Sequence, residues 1–251
     1  MDTLKSSVSW INNLLPEGLP IKTSTVITGP GGSGKPLIGE TFVSEWLKKG
    51  GSIAFMSLQY PNADFISESL KQITGLDLND YSKQIIFYQL DVNIESIVEK
   101  DSLNICTNLV KPEVWDTCLQ IAKKRLPNKG PGLLVFSSAI NLLLFSPTYG
   151  EKVLEKIIDI IENDKSITYL LSVSTTAKKE EISKLEKAAD NLFISNSTKP
   201  PLKLFMRIKR VKGIPFLDKE IQIPIKPGVL NHIKGIAEHS RSKVIPEISK
   251  I

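Results

Sequence analysis

Four glycines, Gly29, Gly31, Gly32 and Gly34, surround Pro30 and Ser33 and are followed at once by Lys35 and Pro36. The spacing GxxxxGK is that of a Walker A loop. Its glycines let backbone N–H groups turn inward around a phosphate, and its lysine reaches the outer phosphate oxygens. A helix starting beside the loop adds the partial positive charge of its N-terminus. The residues therefore predict a nucleotide site, for ATP or ADP, built from Gly29, Gly31, Gly32, Ser33, Gly34, Lys35 and Pro36. The last position breaks the pattern. A Ser or Thr there supplies a hydroxyl to Mg²⁺, whereas Pro36 has neither a hydroxyl nor a backbone N–H. Proline suits the first turn of a helix, but it disfavours the α conformation at Lys35. Each lost charge-assisted hydrogen bond costs about 1.5–3 kcal/mol. The expectation is weak binding of ATP or ADP and a poor hold on Mg²⁺.

A loop of this kind works only between a strand and a helix, and the flanking residues supply both. The β-branched run of residues 24–28 reads as a buried strand. Residues 37–49 carry apolar side chains at 37, 38, 42, 43, 46 and 47, the spacing of one helical face, and Gly50 and Gly51 stop it. Residues 52–58 read as the next strand, which completes a β-α-β unit with parallel strands and a right-handed crossover. Helices are predicted over 65–74, 113–125, 151–163 and 180–189, and strands over 85–90, 133–137 and 167–174. Residues 202–211 and 220–225 form a hairpin-like pair. Residues 91–111 show no clear period. The alternation predicts an α/β fold, a three-layer α/β/α domain with a mostly parallel central sheet and a C-terminal antiparallel hairpin. It spans residues 1–240, and 241–251 form a loose tail.

Composition narrows the setting. Of 251 residues, 41% are hydrophobic and 24% charged, ordinary for a globular protein. No apolar run reaches the length of a membrane span, and the first residues lack the pattern of a secretion signal. The two cysteines, Cys106 and Cys118, form no CxxC pair and read as reduced thiols of a cytoplasmic protein. No set of metal ligands stands out. The net charge is +5, yet residues 199–251 carry 12 Lys/Arg against 4 Asp/Glu. That basic part either faces phosphates, on a nucleotide or on DNA, or is a solvated face. His232 and His239 within it read as surface residues.

Beyond the loop, several stretches resemble the RecA superfamily, and within it archaeal KaiC-like and RadA-paralogue ATPases. Residues 9–34 (SWINNLLPEGLPIKTSTVITGPGGSG) resemble the family's approach to the Walker A loop. SIAFMSLQYP (52–61) is similar to its second strand, GLLVFSSAINLL (132–143) to its Walker B strand, and MRIKRVKG (206–213) to the late strand that ends in KmRG. The resemblance implies a RecA-like P-loop fold and an oligomer, homo- or hetero-, with RecA/KaiC-like subunits. It places Ser137 where the family keeps the aspartate that holds the Mg²⁺ water shell. It places Gln59 where the family keeps the glutamate that activates water, and glutamine cannot act as a base. Arg210 and Lys212 occupy the positions that reach a neighbouring subunit's nucleotide. Ser174, Thr175 and Thr176 end the strand where relatives sense the outer phosphate. With Pro36, Gln59 and Ser137 altered together, the resemblance implies a regulatory pseudo-ATPase with little or no hydrolysis. Two other readings stay open: an active, DNA-binding ATPase of the RadA-paralogue kind, and a scaffold subunit with an empty loop beside an active homologue.

Overall fold

The computed structural model describes residues 2–198, 202–225 and 228–251, apart from the side chains of residues 230–232. The expected surface position of His232 therefore falls outside the described side chains. The chain opens with a short ribbon, β1 (Thr3–Leu4) paired antiparallel with β2 (Leu19–Pro20), around helix α1 (Ser9–Leu14). The β-α-β unit follows as β3 (Ser24–Thr28), α2 (Lys35–Lys48) and β4 (Ser52–Ser57). Next come α3 (Ala63–Thr74), β5 (Ile85–Leu90), β6 (Val98–Glu99), β7 (Asn104–Thr107) and α4 (Val114–Arg125). Helix α3 starts where the Asn62 side chain accepts from Phe65 N and stops at the left-handed Gly75, so both ends have a local chemical cause. The second half holds β8 (Leu133–Ser137), α5 (Gly150–Asn163), β9 (Thr168–Ser172), α6 (Lys179–Ala188) and β10 (Asn191–Thr198). It closes with β11 (Lys203–Arg210), β12 (Ile221–Ile223), α7 (Val229–His239) and α8 (Ile245–Ile248).

Ten strands form one sheet in the order β12-β11-β10-β3-β9-β8-β4-β5-β7-β6. The strands from β10 to β7 in that order run parallel, while β11, β12 and the edge strand β6 pair antiparallel. Central strands alternate two apolar faces. Phe55, Phe136 and Phe193 join one core with α1, α2, α3 and α7. Ala54, Met56 and Val135 join the other with α4, α5 and α6. Phe55 and Phe136 meet edge to face with centroids 4.8 Å apart, the arrangement their ring quadrupoles favour. The mostly parallel three-layer fold with an antiparallel C-terminal part is as the sequence predicted.

Three details differ from the sequence reading. Residues 191–198 form β10, which joins the parallel sheet to the hairpin, where no strand was expected. Residues 91–111 contribute the edge strand β6 and its neighbour β7. The expected loose tail is instead helical: Ile248 is fully buried, and the Ile251 carbonyl accepts hydrogen bonds from Ser146 Oγ and Thr148 N. Apolar residues spaced along Val244, Ile245 and Ile248 provide a face that packs on the second core. No helix among the described residues is long and apolar enough to cross a membrane.

Candidate phosphate-binding site

The loop joins β3 to α2 at the C-terminal edge of the parallel strands, where α/β sheets place their ligands. Its glycines do different work. Gly29 has φ +145, and a Cβ there would lie 2.1 Å from the Ser195 carbonyl oxygen on β10. Gly34, at φ +78, sits under Leu204, whose methyl would lie 2.4 Å from an added Cβ. Gly32 also has a positive φ, +77, but nothing lies within 4 Å of its missing side chain. Gly29 and Gly34 are thus required by packing, while Gly32 faces open space on the side a phosphate would enter. Gly29→Ala is therefore expected to cost more than about 2 kcal/mol in urea unfolding, and Gly32→Ala only roughly 1–2 kcal/mol. Equal costs at both positions would contradict this geometry.

Polar contacts from neighbouring strands hold the loop in shape. Ser33 is fully buried, with its Oγ 2.6 Å from Ser195 Oγ and 2.8 Å from the Pro30 carbonyl. Ser195 Oγ in turn donates to Thr28 O at 3.1 Å. After β9, Thr176 Oγ1 accepts from Gly31 N at 3.0 Å, and Thr175 N donates to Gly29 O at 3.0 Å. The structure therefore brings residues 174–176 against the loop. Lys35 turns back into the loop. Its Nζ donates to Gly29 O, Pro30 O and Ser33 Oγ at 2.9, 2.7 and 3.1 Å. Burial lowers this ammonium from its ordinary value to about 7. Lys35 is the first helical residue of α2 although proline follows it, and Ile38 N closes the first turn on Gly34 O at 3.1 Å. Pro36 occupies the position where a missing N–H is tolerated.

Ser137 ends β8 and Gln59 lies just past the end of the adjacent strand β4, at the same edge of the sheet as the loop. Ser137 is fully buried, and its Oγ donates to Met56 O at 3.3 Å. Behind them lies a group that the sequence reading missed. Glu40, on α2, is fully buried and accepts from Tyr60 Oη at 2.6 Å and from Ser69 Oγ at 2.7 Å. Burial pushes its carboxyl up to about 7, against the opposing effect of those two hydrogen bonds. Helical periodicity hid it: α2 is buried nearly all round between the sheet and its neighbours, so its polar positions are interior too.

Arg210 and Lys212 lie elsewhere. Strand β11 runs antiparallel to β10 with Arg210 opposite Leu192, near the start of β10, so both cations sit at the edge opposite their own phosphate loop. Arg210 donates to the carbonyls of Glu186 and Ala189 at 2.6 and 2.7 Å. Lys212 Nζ bonds Asp190 at 2.8 Å, and Lys165 bonds the same carboxylate at 2.7 Å. Burial would raise Asp190, but these two lysines and Ser24 N outweigh it and hold the carboxyl at about 2.

The family model of the KaiC ATPase matches residues 4–228. The chain belongs to the KaiC ATPase family. Its fold is similar to the crystal structure of the KaiC-like protein PH0186 from the hyperthermophilic archaeon Pyrococcus horikoshii OT3. That match has a TM-score of 0.70 and 17% identity, covering 90% of this chain and 96% of that one. At that identity the likeness speaks to fold alone. No curated protein matches this chain.

As a KaiC-family domain the chain carries an ATP-binding architecture, and its residues can be tested against the groups such a domain holds. A nucleotide phosphate fits: the loop is open at Gly32, and Lys35 Nζ is already seated among loop oxygens, where a phosphate would favour its charged form. The side chains that the family resemblance points to offer a magnesium ion little. Pro36 offers no hydroxyl, Ser137 and Gln59 are neutral, and both oxygens of Glu40 are engaged with Tyr60 and Ser69. No group of three or more His, Cys, Asp or Glu capable of holding a metal ion occurs among the described residues.

Proposed function

We propose that this protein binds ATP or ADP at residues 29–36 without requiring Mg²⁺, hydrolyses it slowly or not at all, and acts as a regulatory subunit through contacts with RecA/KaiC-like partners. One observation supports the reading: the phosphate loop is buttressed with Lys35 in place, while Pro36, Gln59 and Ser137, which the family resemblance puts where metal would be held and water activated, are all neutral. Phosphoryl transfer depends on positioning and on stabilising charge. A site without the metal hydroxyl, the metal carboxylate and the base keeps affinity more readily than turnover. In such an assembly Arg210 and Lys212 would exchange their internal acceptors for a neighbour's nucleotide. Their place at the edge opposite their own loop suits a head-to-tail interface.

The test is titration of a fluorescent ATP analogue, with Mg²⁺ or with EDTA, alongside an assay for released phosphate. The expected result is saturable binding that EDTA changes less than about threefold, with no phosphate above background. Steady Mg²⁺-dependent turnover that Lys35→Ala abolishes would overturn the proposal in favour of an active ATPase. Absence of binding under both conditions would favour a scaffold with an empty loop.

A further inference from the structure

A cavity of about 320 Å³ runs along one flank of α2, from Leu37 in its first turn to Lys48 at its end. Its walls include Trp10 of α1, Ile73 of α3, Ile223 of β12 and Val229 of α7, together with Ser44 and Glu45 of α2. The volume falls at the lower end of the range for small-ligand pockets, roughly 300–1,000 Å³.

Two wall residues carry polar atoms that the fold leaves unanswered. Ser44 and Glu45 are 1% and 2% exposed, and neither Ser44 Oγ nor Glu45 Oε1 has a hydrogen-bond partner among the described residues. The two oxygens of Glu45 are treated very differently. Oε2 accepts from Ser6 Oγ at 3.0 Å, Ser7 N at 2.6 Å and Ser7 Oγ at 2.9 Å. Oε1 faces only the Lys48 ammonium, 3.7 Å away and beyond hydrogen-bond reach. Burial raises the carboxyl, but the bonds from Ser7 and Ser6 and the charge of Lys48 outweigh it and hold it below the ordinary range. The group is therefore a carboxylate at neutral pH, with half of its acceptor capacity unused. Leaving a buried acceptor unpaired is costly, so such a group in a native wall calls for an explanation.

We propose that this cavity is a binding site for a small organic cation with an apolar body, whose ammonium group bonds Glu45 Oε1 and whose hydrocarbon part lies against Trp10, Ile73 and Ile223. The Lys48 side chain, 44% exposed, swings aside, and the ligand's charge takes its place opposite Oε1. Ser44 Oγ accepts a second ammonium proton. A neutral ligand of the same shape satisfies neither oxygen as well, and an anion meets Glu45 with repulsion.

Benzylamine, protonated at neutral pH, is a suitable probe against the full chain, with benzyl alcohol and benzoate as neutral and anionic counterparts. By ligand-observed NMR or calorimetry, benzylamine is expected to bind with a dissociation constant on the order of 1 mM, at least tenfold tighter than benzyl alcohol. Benzoate is expected not to bind. Glu45→Gln should weaken benzylamine at least tenfold, Lys48→Ala should tighten it, and Ser44→Val should abolish binding by filling the wall. The last two leave the bonds of Glu45 to Ser6 and Ser7 intact, so they decide the matter if Glu45→Gln fails to fold. Equal binding of all three probes, no saturable binding up to about 20 mM, or a Lys48→Ala variant that binds no better would each overturn the proposal. So would a high-resolution crystal structure, grown with benzylamine, in which water alone occupies the cavity.

Discussion

Lys35→Ala is expected to weaken ATP binding by roughly two to four orders of magnitude. In the free protein the ammonium already donates to Gly29 O, Pro30 O and Ser33 Oγ, so it is held within the loop before any ligand arrives. Each charge-assisted bond it makes to phosphate is worth about 1.5–3 kcal/mol, and two such bonds give the stated loss. Under the proposed metal-independent binding, the lysine carries most of the task of neutralising the phosphates. The same residue burdens the empty fold. Lys35 is only 7% exposed, and burial draws its pKa from 10.5 to about 7. The folded state therefore holds its proton less firmly than the unfolded chain. Between about pH 7 and 10.5 the unfolded chain binds the extra proton, so stability rises with pH across that window and is flat in this respect below it. Lys35→Met keeps the apolar stem and removes the charge. It is expected to stabilise the nucleotide-free protein at pH 7 by about 1–3 kcal/mol and to abolish that rise. Urea unfolding from pH 6.5 to 10, beside binding titrations of Lys35→Ala, checks both halves. A variant that binds ATP like the wild type would remove the loop from the site.

Across the acidic side, the wild-type protein is expected to lose about 3 kcal/mol of stability as pH rises from 4.5 to 7, and Glu40→Gln is expected to lose almost none. Glu40 has a folded pKa of about 7 against an ordinary 4.5. Within that interval the folded protein keeps a proton that the unfolded chain has released, so the stabilising contribution is full below the interval and gone above it. Glutamine preserves both hydrogen-bonding partners, since its oxygen can accept from Tyr60 while its amide meets Ser69 Oγ. The groups held low, Asp164 and Asp190 at about 2, titrate below this window and add a rise there instead. Unfolding midpoints of the two proteins at pH 5 and pH 7.5 decide the point: parallel changes would show that Glu40 is not the titrating group.

Much of the fold was legible because it rests on local rules. The glycine spacing, the β-branched run before it, the helical period after it and the Gly50–Gly51 stop all act within a few residues, and the strand and helix at 24–48 formed close to where they were expected. Strand β10 escaped notice because its identity is not local. Residues 191–198 alternate weakly between apolar and polar types, and the strand is completed by β3 on one side and β11 on the other. The C-terminal helices escaped for a similar reason, since the short apolar face at Val244 and Ile248 gains its stability by packing on the second core.

What residue order determined by itself was chemical type: the GxxxxGK spacing of residues 29–35, and the uncharged side chains of Pro36, Gln59 and Ser137, none of which carries a carboxylate. Those are properties of side chains and of short spacings, and no folding can supply an atom that the residue lacks. Only the tertiary structure decided which charges are buried and what they meet. It seated Lys35 among its own loop carbonyls, raised Glu40, tied Arg210 and Lys212 to acceptors at the far edge, and left Glu45 half unpaired. Burial and partnership depend on strand register and on helices crossing at long sequence separation, and a linear pattern carries no record of either.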